Sequence, residues 1–300
     1  MAAPVRSVPA VARRSVAGRA WTWVRVHVVV FAAAVALAYL FVPVLVVLAF
    51  SFNQPVGRFN YVWRGFSLDA WRGLCDVAGV CDSVLLSLRL ATAATVLATV
   101  LGTLVAFAVT RYRFRGRGMV NVLVFLPIAM PEVVMGSSLL ALFVQGGVDR
   151  GFVTLFVAHV LLCLSFVVVT VKARLAGLDP LLEEAARDLY ADPWQTFVTV
   201  TLPLVWPGIV AAALLSFALS FDDFVVSNFN AGPDTVTFPM YVFGASQRGI
   251  PPQVNAVGTV MLLLALGVVL VAQLRPSART HRCRGSASGR LGVRSARARR

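Results

Sequence analysis

Charge is what this chain has least of: charged residues make up only 13% of its 300 positions, while hydrophobic residues make up 59%. A soluble domain carries about twice that share of charge, so a water-filled surface around one core is excluded. Metal chemistry has little to work with, since there are three histidines and four cysteines and none falls in a metal-ligand spacing. No G-x-x-x-x-G-K-[ST] run or other phosphate-cradling loop is present, so the chain has no nucleotide site of its own. No nucleophile stands paired with a base inside an apolar stretch, which leaves no catalytic residue to name and argues against an intramembrane enzyme.

What is present is a series of long apolar runs near 27–51, 84–110, 119–145, 152–171, 207–228 and 254–274. Each approaches the roughly 20 residues that cross hydrocarbon as a helix, which predicts an all-α polytopic membrane protein with six spans. The first run is too long for the apolar part of a signal peptide and lacks a small-residue cleavage site, so it is expected to stay as an anchor. Segments of distinct composition follow: a basic stretch 1–26, a first span with its loop over 27–82, a five-span core over 83–274, and a basic tail over 275–300.

Acids are missing where arginines gather. Arg6, Arg13, Arg14, Arg19 and Arg25 precede the first span, four more lie in Arg111–Arg117, and nine follow Leu274, all without a carboxylate. The intervening segments 52–82, 146–151 and 229–253 each balance to zero. The positive-inside rule therefore places both termini and the loop ahead of span five in the cytoplasm. Arginines beside spans meet anionic lipid, so the net charge of +14 is read as topology and membrane contact, with no nucleic-acid partner. The tail, rich in Arg, Ser, Gly and Ala, is expected to be disordered.

Cys75 and Cys81 share one loop on the other side, where they form either a short disulfide or two free thiols; Cys163 lies in span four and Cys283 in the tail. Trp21 and Trp23 read as interface anchors. Trp63 and Trp71 either touch a partner or pack their own loop.

The loop 172–205 is polar between apolar spans. Asp179-Pro180 is a helix-start signal, and the helix it opens, Pro180–Leu189, carries Glu183 and Glu184 at its positive end. Asp192-Pro193 with Gln195 three residues past the cap reads as a second start with a capping box, and Pro203 and Pro207 should close that helix and open span five. A rigid helix pair at the membrane surface suits docking in a partner's groove.

Within the spans the charges are Arg89, Glu132, Asp222 and Asp223. Intramembrane carboxylates normally face an aqueous path or a partner. Glu132 and Asp222 fall about 20 Å from the cytoplasmic edge at 1.5 Å per residue, with a kink expected at Pro127 and Pro131. On a continuous helix, Ser216, Ser220, Asp223 and Ser227 share one stripe, so Asp223 is expected to face a path. Asp222 would point roughly 100° away, toward another helix and Arg89. A buried structural ion network is the competing account of all four charges. His159 reads as a hydrogen-bonded core histidine.

The run Glu184-Ala185-Ala186 through Val200, Leu202 and Pro203 resembles the EAA loop of ABC importer permeases. The pattern's usual glycine is replaced by Tyr190, so the turn is expected to be built differently here. Further stretches look like the second-permease branch of spermidine/putrescine importers: Tyr112–Gly116, Phe166–Val171, Leu219–Asp223 and Pro252–Ala256, in order over about 30–275. The resemblance implies a type I ABC importer permease fold and a membrane-spanning, non-catalytic subunit working by alternating access. It implies coupling to an ATPase through Glu183, Glu184, Ala185, Ala186, Asp188, Tyr190, Ala191, Leu202 and Pro203. Partners would be a second, different permease, two ATP-binding subunits that hold the ATP, and an external solute-binding protein, with a polyamine as cargo. Another cation, a polar solute or chelated iron stays open as cargo, as does an ion-driven carrier using Glu132 and Asp223.

Overall fold

A computed structural model describes residues 16–57 and 59–274, and the helices and turns of those residues leave room for one isolated bridge, Asn53 to Phe66. The basic tail with Cys283 lies outside the described residues, as do the side chains of Trp21 and Trp23. Helix α1 (Val16–Phe50) is apolar on all sides from Val28 onward and exposed along nearly all of that length, with Pro43 inside it. The loop that follows packs on itself. Asn53 is buried and donates to Asn60 Oδ1 (2.6 Å) and to the Val62 carbonyl (2.9 Å), while its own Oδ1 accepts from Arg64 N. Phe52 stacks on Phe66 and on Trp71, and Trp63 meets Phe50 edge-on. After the short α2 (Asp69–Arg72), a disulfide joins Cys75 to Cys81 across Cα atoms 5.3 Å apart.

Helices α3 (Val80–Arg111) and α6 (Phe152–Ala176) form the centre. On α3 the buried Ala91, Ala94, Ala98, Gly102 and Ala106 recur every three or four residues. Small residues at that spacing let two backbones approach closely, the usual packing solution between helices in lipid. At Gly102 the approach is tight enough that a Cβ would lie 2.7 Å from Val167 Cγ1. The third member of the core is α9 (Leu202–Asp222), whose Val205, Ile209 and Ala212 join Val167, Val168 and Val171 of α6 in one cluster.

Two expected spans are broken. The third divides into α4 (Arg117–Ala129) and α5 (Glu132–Gln145), which meet at 110° across Met130-Pro131. Proline disfavours helix at the residue before it and cannot donate into the preceding turn, so the break falls where the sequence placed a kink but is far larger. The depth assigned to Glu132 along a straight span is thereby overturned. The fifth ends at Asp222 and resumes only as the short α10 (Val225–Asn230). After α11 (Phe238–Arg248), α12 (Pro252–Leu274) begins. Among the described residues four helices are long and apolar enough to span, or five if α4 and α5 count as one; α12 supplies a shorter apolar stretch, Pro252–Gly267. The expected six is thus not reached by length and composition. Contacts divide the chain after Ala256, and the described part of the second unit is the remainder of α12.

Candidate functional site

The polar loop ahead of α9 is built from local rules. Asp179 Oδ1 accepts from Leu181 N (3.0 Å) and opens α7 (Leu181–Asp188), one residue inside the expected bounds at each end. That helix closes with Tyr190 N donating to the Arg187 carbonyl and Ala191 N to the Ala186 carbonyl, the paired bonds of a Schellman end. Tyr190 itself takes the left-handed conformation, φ 61°, which corrects the expectation of a differently built turn. With 96% of its surface exposed, the tyrosine side chain crowds nothing, so the strain is confined to its own backbone, about 1 kcal/mol. Asp192 then caps α8 (Pro193–Thr196) through Gln195 N (2.7 Å), and Gln195 Oε1 accepts from Asp192 N (3.3 Å), as a capping box should.

Pro203 does not end this second helix. Helix α8 runs through a π-helical turn, Phe197–Thr201, directly into α9, giving one 30-residue element from Pro193 to Asp222. A widened turn accommodates the missing proline N–H and the clash of its ring with the preceding turn.

One cross-link in this region was not legible as such. Glu183 receives two hydrogen bonds from the Arg111 guanidinium, one of them 2.7 Å long, and a third from Thr201 Oγ1 at 2.7 Å. The carboxylate therefore ties the end of α3, the coupling-type helix α7 and the entry to α9 together. Burial alone would raise its pKa, but the hydrogen bonds from Thr201 and Arg111 and the charges of Arg111 and Arg187 outweigh burial and hold it below the usual carboxylate range. The available signal was an acid 72 residues from the first arginine after span two, which helix-end rules assigned only to a dipole. Four large apolar side chains of the loop, Leu181, Leu189, Tyr190 and Trp194, are exposed. Glu184, Ala185 and Asp188 are exposed on α7, with Ala186 half-buried.

Deeper in the fold, His159 of α6 is fully buried, with Nδ1 2.8 Å from Ser220 Oγ and Nε2 3.0 Å from Ser227 Oγ. It is hydrogen-bonded at both ring nitrogens, as expected of a core histidine. Asp223 lies beside it, Oδ2 3.6 Å from Nε2, and accepts from Val226 N (3.2 Å) and Ser227 N (2.7 Å). It is only 8% exposed, whereas its neighbour Asp222 is exposed. The grouping of Ser216, Ser220, Asp223 and Ser227 on one side holds, but that side is buried and the helix is not continuous: the chain turns extended at Asp223, whose side chain caps α10. Asp222 makes no ion pair with Arg89 among the described residues, so that expected contact is withdrawn. Ser216, buried one turn below Ser220, has a hydroxyl with no hydrogen-bond partner among the described residues. Glu132 is exposed at the start of α5, and α5 is held to α10 by Asn230 Nδ2 donating to the Gly136 carbonyl (3.3 Å). The structure thus gathers Ser220, Asp223, Ser227 and His159 into one buried cluster and leaves Asp222 and Glu132 exposed. An acid followed by a short apolar helix is a capping signal that would have marked Asp223 for this role.

The bent α4–α5 pair, the capped elbow after α9 and the helix pair ahead of it are carried on helices long and apolar enough to cross a membrane. The family model for the inner membrane component of binding-protein-dependent transport systems matches residues 98–277. This chain belongs to that family. Such permeases are the non-catalytic membrane subunits of ABC transporters. The spermidine/putrescine transport system permease protein PotC of Haemophilus influenzae is 39% identical over 230 residues, covering 77% of this chain and 89% of the relative. The putrescine transport system permease protein PotI of Escherichia coli is 38% identical over 232 residues, covering 75% and 82%. A bacterial ABC transporter for alginate import shares the permease fold at a TM-score of 0.62 and 17% identity, over 85% of this chain and 97% of that one. The methionine transporter MetNI does so at 0.55 and 20%, over 65% and 93%.

Proposed function

We propose that this permease moves polyamines across the cytoplasmic membrane, as one half of a channel completed by a second permease. Of two ATP-binding subunits, one docks on α7 and α8 and the other on the matching loop of the second permease, and an external solute-binding protein delivers the cargo. Both termini and the docking loop face the cytoplasm, where the uncompensated arginines lie. The observation that carries the cargo is the 39% identity to a permease named for spermidine and putrescine. It is supported by two exposed carboxylates, Glu132 and Asp222, on membrane-embedded elements, an arrangement that favours a cation over an anion. Asp223, Ser220 and Ser227 serve the path by fixing, with His159, the elbow from which Asp222 emerges. The apolar surface of Leu181, Leu189, Tyr190 and Trp194 fills the groove of the motor subunit.

Uptake of labelled spermidine and putrescine by a deletion strain tests this directly. Restoring the chain restores uptake; Asp222→Asn accumulates normally in the membrane but lowers uptake about ten- to hundredfold, the loss of one charge-assisted contact. Uptake that is unchanged by deletion, or that continues in proteoliposomes without nucleotide, ends the proposal.

A further inference from the structure

Helix α3 carries a second stripe besides its small-residue one: Asp82, Leu86, Arg89, Ala93, Val96 and Val100, three or four residues apart throughout. This stripe walls two cavities that meet at Arg89. The first, about 480 Å³, lies toward the Val80 end and is lined by Asp82, Asp234 and Tyr241. The second is an open groove of about 810 Å³ running the other way along α3, its far wall made by Phe152 and Phe156 of α6. Apart from Arg89 and Thr92, every residue lining that groove is apolar.

The charges at the junction lack partners. Among the described residues, Arg89, Asp82 and Asp234 form no side-chain hydrogen bond and no ion pair. The depth of Arg89 limits what can meet it. At 32 residues α3 is about 48 Å long against a hydrocarbon core of about 30 Å, so a centred helix leaves about 9 Å outside at each end. Arg89 then lies about 5 Å inside the boundary, and an arginine at that depth reaches back to the headgroup level with its stem along apolar surface.

We propose that this groove holds one aminophospholipid, in the leaflet on the disulfide-bearing side. Its phosphate sits on Arg89, its primary ammonium between Asp82 and Asp234, and one acyl chain along Val96 and Val100 against Phe152 and Phe156. The order of charges selects the class. A lipid with an anionic head and no amine would set its phosphate beside two uncompensated carboxylates, and a trimethylated head has no N–H to donate to them. An apolar helix from a second permease would fill the groove but leave Arg89 without an anion.

The test is lipid retention by the full-length protein in its transport complex, taken from bilayers of equal phosphatidylethanolamine, phosphatidylglycerol and phosphatidylcholine and read by native mass spectrometry. Wild type retains phosphatidylethanolamine selectively. Arg89→Leu lowers that retention about ten- to hundredfold, as loss of one charge-assisted contact to phosphate requires. Asp82→Asn with Asp234→Asn keeps a bound lipid but shifts preference to phosphatidylglycerol, which separates headgroup reading from misfolding. Retention unchanged in Arg89→Leu, or a wild-type preference for phosphatidylglycerol, overturns the proposal. So does efficient cross-linking of Val96→Cys to a helix of the second permease.

Discussion

Replacing Glu183 by alanine should loosen the link between α3, α7 and the entry to α9 without disturbing any of them alone. The carboxylate accepts two hydrogen bonds from Arg111 and one from Thr201, with side chains 14% exposed for Glu183 and 35% for Arg111. A fully exposed pair would contribute about 0.2–1 kcal/mol and a buried charge-assisted bond about 1.5–3. Partial exposure puts the Arg111 pair near 1 kcal/mol, and the Thr201 bond adds about 1 more. A loss of about 2 kcal/mol raises local opening about thirtyfold. Hydrogen exchange over residues 189–201 reads that opening, and Glu183→Gln, which can still accept from Thr201, should lose about half as much. The pH dependence has a fixed sign. Because the folded carboxyl titrates below its unfolded value, its contribution is complete above the unfolded value and disappears only as pH falls through the lower folded one. Protection should therefore stay flat from neutrality down to about pH 5 and fall below that. Unchanged exchange in Glu183→Ala, with normal membrane abundance, would refute the reasoning.

Gly102→Ala should destabilise the core, since the new methyl meets the β-branched Val167 at 2.7 Å and the Leu164 carbonyl at 3.3 Å; overpacking of about 1–3 kcal/mol exceeds the roughly 1 kcal/mol gained in helix propensity, and a lower thermal midpoint checks it. Gly208→Ala brings its methyl to 2.7 and 2.8 Å from Arg174 Cγ and Cβ, the root of a side chain whose Nε bonds the Leu204 carbonyl, so it too should lower the midpoint. Tyr190→Pro cannot adopt φ 61° and removes the donor to Arg187, costing about 3 kcal/mol and exposing the loop to protease, whereas Tyr190→Gly should leave protease resistance intact. Replacing both Cys75 and Cys81 by serine should remove about 2 kcal/mol of chain-entropy restraint, with faster exchange confined to the loop between α2 and α3.

The sequence alone determined whatever depends on residues within a turn or two of one another. The apolar runs, the caps at Asp179 and Asp192 and the place of the bend at Pro131, though not its size, are of this kind, because a helix end is satisfied or broken by its immediate neighbours. The two helix starts of the loop ahead of α9 could be read for the same reason, down to the Gln195 partner of Asp192. Only the tertiary structure decided which charges are hidden. Asp223 is buried and Asp222 exposed because His159, 61 residues before Ser220 in the chain, stands on α6 where the elbow after α9 closes. Periodicity separated the two aspartates but could not tell which side is covered, and the break between them is stabilised by Asp223 itself. Arg111 and Glu183 likewise meet across 72 residues. Burial and ion pairing are properties of surfaces brought together by packing, and no local spacing encodes which surfaces those are.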